Sequence, residues 1–125
     1  DIIIEIGNEF IRVGLVGDKV PRKTLKSGNS LKYPSSPADI ERFENGLEEL
    51  LYNIFFSHIN CSCTGKTVII LEKVFTDRRI LEAMAKIMFK KLKVERIELS
   101  LSCVTPLYLT GKYSGLVISA GASSV

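Results

Sequence analysis

The chain opens with apolar segments of strand length separated by polar turns, and only later adopts helical spacing. "DIIIEIG" and "EFIRVGLVG" are two apolar runs joined at Gly7 and Asn8, residues that tolerate the positive φ a tight hairpin needs. Within the second, Phe10 to Val13 follow the two-residue period of a half-buried strand only in part. Gly17 and Asp18 then turn the chain, and "PRKTLK" supplies a short third strand. Residues 26–38, "KSGNSLKYPSSPA", are a polar loop. After it, Ile40, Phe43, Leu47, Leu50, Leu51 and Ile54 recur at spacings of three and four, which predicts an amphipathic helix to about Ser57. Ser36 is its expected N-cap, Pro37 fits the first helical position and Asp39 suits the first turn.

The second half alternates between strand and helix. "TVIILE", residues 67–72, is a continuous apolar run suited to a strand buried on both faces. Thr76 is positioned to cap a second helix, whose buried side is marked by Ile80, Leu81, Met84, Ile87, Met88 and Leu92. "RIELSL" is a further strand, and "VTPLYLTGKY" a short helix with Pro106 in its first turn and Gly111 as its stop. "GLVIS", residues 115–119, is the expected last strand, followed by a glycine turn at Gly121. The order is β-β-β-α-β-α-β-α-β, which predicts an α/β domain with a mixed sheet and helices on its faces.

Composition narrows the class. At 125 residues, 46% hydrophobic and 25% charged, the chain has the balance of a globular domain rather than a disordered one. Its apolar stretches are strand-length, so no membrane insertion is expected, and the start has no basic region of a secretory signal. A net charge of +3 makes no case for direct nucleic-acid binding. The densest basic run, "KKLKVER", sits where a helix should end, and lysines there complement the helix dipole. Cys61, Cys63 and Cys103 lack the second pair or histidine cluster of a zinc site and read as thiols of a reducing compartment. His58 has no acid or nucleophile at a telling spacing and reads as a helix-end residue.

Two fragments resemble catalytic motifs and are set aside. "TGKT", residues 64–67, has Asn60 where a P-loop needs its first glycine, and a helix precedes it where a strand is required, so Lys66 is expected to be a solvated loop residue. Glu72 ends the central strand, a frequent place for functional carboxylates, but it has no partner for acid–base work.

The first hairpin carries more. The run "GLVGDKVPR" from Gly14 to Arg22, preceded by Glu5, Gly7, Asn8 and Arg12, resembles the actin family, whose members open with an acid-x-Gly-Ser/Thr hairpin, a basic residue on its second strand and the run G-F-A-G-D-x-x-P-R. "LKYP" at residues 31–34 is similar to the segment leading into the first long actin helix, and Ile87, Met88 and Phe89 match a triplet in the next. "PLYLTGKYSGLVIS" is similar to the connecting helix and the strand that opens the second phosphate hairpin.

The resemblance implies an actin-like, ribonuclease H-like fold: a mixed five-stranded sheet with flanking helices, the amino-terminal lobe only. Residues 1–114 would form the first lobe, with a minimal loop at 26–33 replacing the second subdomain, and residues 115–125 would begin the second lobe. In this fold two hairpins grip ATP phosphates through backbone N–H groups. The positions carried over are Gly7, Asn8, Arg12 and Gly121, a degenerate set. Glu9 stands where the family has a glycine, and Ser119 and Ala122 where it has metal-linked acids; Ser102 stands where it has the water-positioning glutamine. The resemblance therefore implies no catalytic residue, no metal, and no cofactor or weakly bound ATP or ADP.

The missing subdomain is what an incoming subunit grasps at a filament's pointed end. Its loss resembles the divergent actin-related subunit at the pointed end of dynactin, which implies a cytoplasmic, cytoskeletal, non-catalytic capping subunit. Its partners would be actin-related filament subunits and other pointed-end subunits. The alternative is an actin-related subunit of a nuclear chromatin-remodelling complex.

Overall fold

The computed structural model describes residues 1–121. Five strands form one sheet in the order β3-β2-β1-β4-β5: β1 (Ile2–Ile6), β2 (Phe10–Leu15), β3 (Lys23–Lys26), β4 (Thr67–Glu72) and β5 (Arg96–Leu101). The first three pair antiparallel as a meander, while β4 joins β1 and β5 joins β4 in parallel. The mixed sheet is thus the one that the strand and helix periods predict. Parallel pairs need a crossover, and α1 (Ile40–Tyr52) and α2 (Arg78–Lys90) supply the two crossovers.

Alternation decides which side of the sheet is covered. Ile2, Ile4 and Ile6, then Ile11 and Val13, then Val68 and Ile70 are buried at every second position. They form one cluster with Phe43, Leu47 and Leu51 of α1 and Ile80, Leu81, Met84, Ile87 and Met88 of α2. Both helices therefore lie on one face. The intervening residues of β4, Ile69 and Leu71, are half-buried. The strand is continuous in apolar sequence but not buried on both faces, because among the described residues no layer of comparable apolar side chains covers its second face.

The two crossover helices start where the sequence predicts, with Pro37 and Asp39 in the first turn of the first, but their caps differ from expectation. The first begins as a 3-10 turn over Pro37–Asp39, with Ser36 extended before it and making no side-chain cap. It ends as a π-helical turn over Asn53–His58, in which Ile59 N–H donates to the Ile54 carbonyl. The wider turn lets Ile54, Phe55 and Ile59 all reach the core. Tyr52 and Phe56 stack on the outside, centroids 5.5 Å apart. The cap of α2 is Asp77 rather than Thr76: its carboxylate accepts the Arg79 N–H at 2.9 Å. Thr76 instead closes the preceding turn, its hydroxyl donating to the Lys73 carbonyl and accepting the Lys73 N–H, each at 3.0 Å. Lys91, just past the end of α2, pairs with Glu48 of α1, which holds the lysine above its usual pKa.

The tail corrects one element. α3 (Thr105–Thr110) stops at Gly111, whose φ of 66° is the left-handed helix stop the sequence predicts. The expected strand at Gly115–Ser119 does not form: residues 114–121 follow no regular element, and Leu116 and Ile118 are 86% and 76% exposed. A strand needs a neighbour to satisfy its backbone groups, and among the described residues none pairs with this segment. The rest of the expected turn after Gly121, with Ala122 and Ser123, lies outside the described residues.

Candidate functional site

The site expected from the sequence is the β1–β2 hairpin. Its register places Ile6 opposite Ile11 and Glu5 opposite Arg12. Because Ile4, Ile6, Ile11 and Val13 face the core, Glu5 and Arg12 stand side by side on the uncovered face. Arg12 Nη1 lies 3.3 Å from Glu5 Oε2, with the two side chains 47% and 36% exposed. An ion pair that open contributes little to stability, but it fixes where both charges sit.

The turn between the strands is closed from within and from outside. Gly7 N–H donates to the Phe10 carbonyl at 2.9 Å. Neither Gly7 nor Asn8 adopts a positive φ, contrary to expectation. Gly7 is required for a different reason: a Cβ there would lie 2.5 Å from the Phe10 carbonyl oxygen. Ser27, which follows β3, then clamps the turn. Its N–H donates to the Glu9 carbonyl at 2.8 Å and its hydroxyl to the Asn8 carbonyl at 2.7 Å. Ser27 is 2% exposed, so these bonds are shielded from water.

The run after β2 holds its own geometry. Gly17 takes a φ of 97°, a conformation other residues reach only with strain. The Asp18 carboxylate accepts the Leu15 N–H at 3.0 Å and two bonds from the Arg22 guanidinium at 2.7 and 3.4 Å. The Arg22 bonds first, and the Leu15 N–H second, hold this carboxyl below its ordinary pKa. Three residues that carried the resemblance thus have local structural duties: a turn, its clasp, and the clasp's counter-ion.

A shallow groove of about 210 Å³ lies on this face, lined among others by Ile3, Glu5, Arg12, Gly14, Asp18 and Leu71. Small-molecule pockets usually span about 300 to 1,000 Å³. In the groove Arg12 pairs with Glu5 and Asp18 is clasped by Arg22, while Lys19 lines it as a further cation. The Gly7 N–H is taken up by the closing bond of the hairpin. What sets the turn apart from the resembled phosphate hairpin is Glu9, an anion where that hairpin has a glycine. Among the described residues no three His, Cys, Asp or Glu side chains gather to hold a metal ion.

Of the four sequence-derived positions, the structure brings Gly7, Asn8 and Arg12 together in one hairpin. Gly121 lies at the end of the exposed tail. Glu5 entered from sequence as the resembled hairpin's acid, with no partner assigned, and Ser27 was not singled out. Glu5 as Arg12's partner was readable, since both lie equally far from the turn. Ser27 was not, because nothing in the spacing of residues 8 and 27 signals contact.

Elsewhere, the polar connector from β3 to the first helix is anchored at Tyr33. Its ring packs edge-on against Phe43, centroids 5.3 Å apart, and the Arg79 guanidinium sits 4.1 Å above it. Lys66 is not simply solvated: its ammonium donates to Cys61 Sγ at 2.6 Å. Cys63 is buried, its thiol donating to the Leu92 carbonyl at 3.5 Å, and burial pushes its pKa up. Among the described residues no helix is long and apolar enough to cross a membrane.

A family model described as Actin matches residues 30–125 of the chain. The match begins within the connector, at residue 30, and covers the rest of it, both crossover helices, β4, β5 and the tail. The hairpin precedes the matched range, so its resemblance rests on its own residues.

Proposed function

Since the chain belongs to the actin family, we propose that it acts as a non-catalytic, actin-related structural subunit that caps the pointed end of a short actin-like filament, as in dynactin. The supporting observation is the connector. Residues 27–36 carry the chain from β3 to the first helix, where an actin of the resembled kind places a whole small subdomain. The connector is not a slack remnant. Ser27 binds the hairpin turn, two turns close through Ser30 N–H to Ser27 and Lys32 N–H to Asn29, and Tyr33 is held between Phe43 and Arg79. A lobe finished in this way can seat on a filament end and present no subdomain for the next subunit to grasp.

The non-catalytic part of the reading rests on the hairpin. Glu9 adds a negative charge where the resembled hairpin has a glycine, and beyond the hairpin Ser119 and Ala122 stand where the family has acids. The partners under this proposal are actin-related filament subunits and neighbouring pointed-end subunits, in the cytoplasm and on the cytoskeleton.

Pointed-end elongation of actin-like filaments, followed by fluorescence microscopy with the full-length chain added, tests the proposal. Substoichiometric chain is expected to stop pointed-end growth without nucleotide turnover. Unchanged growth, or co-purification with chromatin-remodelling subunits in place of filament subunits, overturns it. Measurable Mg-ATP hydrolysis overturns the non-catalytic part.

A further inference from the structure

The loop between the first helix and β4 brings three reactive side chains together, away from the hairpin. Cys61 follows the π-helical turn, its N–H donating to the Phe55 carbonyl at 3.1 Å. Cys63, two residues on, packs into the same core: it is 2% exposed, and its thiol donates to the Leu92 carbonyl at 3.5 Å. A turn then folds the chain back, with Lys66 N–H donating to the Cys63 carbonyl at 3.1 Å and Gly65 at a φ of 68°. That turn returns the Lys66 ammonium to Cys61, where it donates to Sγ at 2.6 Å. Cys61 stays partly exposed, so a small solute can reach its sulfur. Cys103 is partly exposed too, but among the described residues no side chain bonds to its sulfur.

We propose that Cys61 is a site of reversible oxidation by hydrogen peroxide, with Lys66 as its positioning cation and Cys63 as its resolving thiol. A cysteine sulfur attacks as its anion, and the Lys66 ammonium is placed to hold that charge. The Cys61 sulfur bonds to one peroxide oxygen as the O–O bond breaks. The other oxygen leaves as hydroxide and takes up the thiol proton, giving water and a sulfenic acid. The Cys63 sulfur then attacks the Cys61 sulfur, the S–O bond breaks, and the oxygen leaves with the Cys63 proton as a second water. Two thiols are oxidised to one disulfide while one peroxide is reduced to two waters. Burial assigns the roles. Cys63 is shielded from the oxidant, and burial first, with the neighbouring Cys61 sulfur adding to it, raises its pKa, so it does not react first. The span is short enough to close: residues two apart lie at most about 7 Å apart at Cα, against about 4.4–6.8 Å in disulfides. A bridge at the upper end of that range is strained, and strained disulfides are the readily reduced ones. The inference goes beyond the filament reading and does not depend on it.

The test treats the full-length chain with hydrogen peroxide, with and without dimedone as a sulfenic-acid trap, and follows each cysteine by peptide mass spectrometry. Wild type is expected to form the Cys61–Cys63 disulfide faster than Cys103 is oxidised, and a thiol reductant to restore both thiols. Cys63→Ser is expected to stop at a dimedone-labelled sulfenic acid on Cys61; Cys63→Ala is a second variant should the serine fold poorly, with the same result expected. A unit charge at about 4 Å in water-like surroundings is worth about fivefold, so Lys66→Gln is expected to react at least about fivefold more slowly. Lys66→Arg is expected to recover most of that rate, a rescue that a merely structural role in the loop would not give. An unreacted Cys61 overturns the inference, as does oxidation of Cys103 at an equal or greater rate. A wild-type chain that stops at the sulfenic acid removes Cys63 from its role. Lys66→Gln reacting at the wild-type rate, or Lys66→Arg reacting as slowly as Lys66→Gln, removes Lys66 from its own.

Discussion

The β1–β2 hairpin and the tail at residues 112–121 both resemble phosphate-gripping segments of one fold, and they behave in opposite ways. In the hairpin both strands are present. Ile4 and Ile6 sit in the core, Glu5 meets Arg12, and the turn is bonded to Ser27. The tail has comparable apolar content but no partner strand, and Leu116 and Ile118 face solvent. The difference shows that apolar sequence makes a strand only when a neighbouring backbone takes its hydrogen bonds. Changes to the hairpin should therefore propagate into the whole lobe, and changes to the tail should remain local.

The largest effect is expected from Ile4→Ala. Ile4 is fully buried between β2, β4 and the helices. Removing its branched side chain leaves a cavity and should cost about 2–5 kcal/mol in a denaturant melt followed by circular dichroism. A cost under about 1 kcal/mol would mean that the hairpin is not part of the cooperative core. Next is Gly7→Ala. The new methyl group would meet the Phe10 carbonyl, a backbone atom that cannot swing aside, so a loss of about 1–3 kcal/mol is expected from the forced shift. If the substitution is neutral, the turn is looser in solution than its bonds indicate.

Ser27→Ala follows. It removes the hydroxyl bond to the Asn8 carbonyl in a buried position and leaves an acceptor unmatched, at about 1 kcal/mol. Amide hydrogen exchange should be faster at Gly7 and at residue 27 in this variant, the two amides bonded in the turn. Unchanged exchange there would show that the clamp does not hold the turn.

These contrasts also mark what was legible beforehand. The meander, the two crossovers and the mixed sheet follow from local periods, because a buried face repeats every two residues in a strand and every three or four in a helix. The Gly111 stop was readable because it needs only a residue that takes a positive φ. Ser27, the Tyr33–Arg79 contact and the Lys66–Cys61 contact were not, since each joins segments whose meeting depends on the finished fold. The choice of Asp77 over Thr76 as cap was lost by one position, because either side chain can cap and the preceding turn decided between them. The tail strand was expected from composition and failed on a requirement that composition does not carry.

A smaller effect is expected from pH at the Asp18 clasp. Its folded-state pKa lies below the ordinary 3.8. The stability it contributes is therefore present above that ordinary value and is lost as pH falls through the lower folded value. Because the clasp is exposed, the loss should be local: Leu15 and Asp18 amide signals in NMR should shift in strong acid, with β1 and β4 unaffected. Asp18→Asn should remove that transition. A transition that persists in Asp18→Asn would assign it to another carboxylate.

The smallest effect is expected from Ile118→Ala, and it tests the comparison most directly. The chemical change equals that of Ile4→Ala, with the same atoms deleted from the same residue type. What differs is the surroundings: Ile118 is 76% exposed and Ile4 fully buried. If burial, and not sequence, sets the cost, Ile118→Ala should stay within about 0.5 kcal/mol in the same denaturant melt. A loss approaching that of Ile4→Ala would mean that the tail packs against an apolar surface in solution. The uncovered sheet face at Ile69 and Leu71 would then be the first place to seek its footprint, by crosslinking from Ile118→Cys.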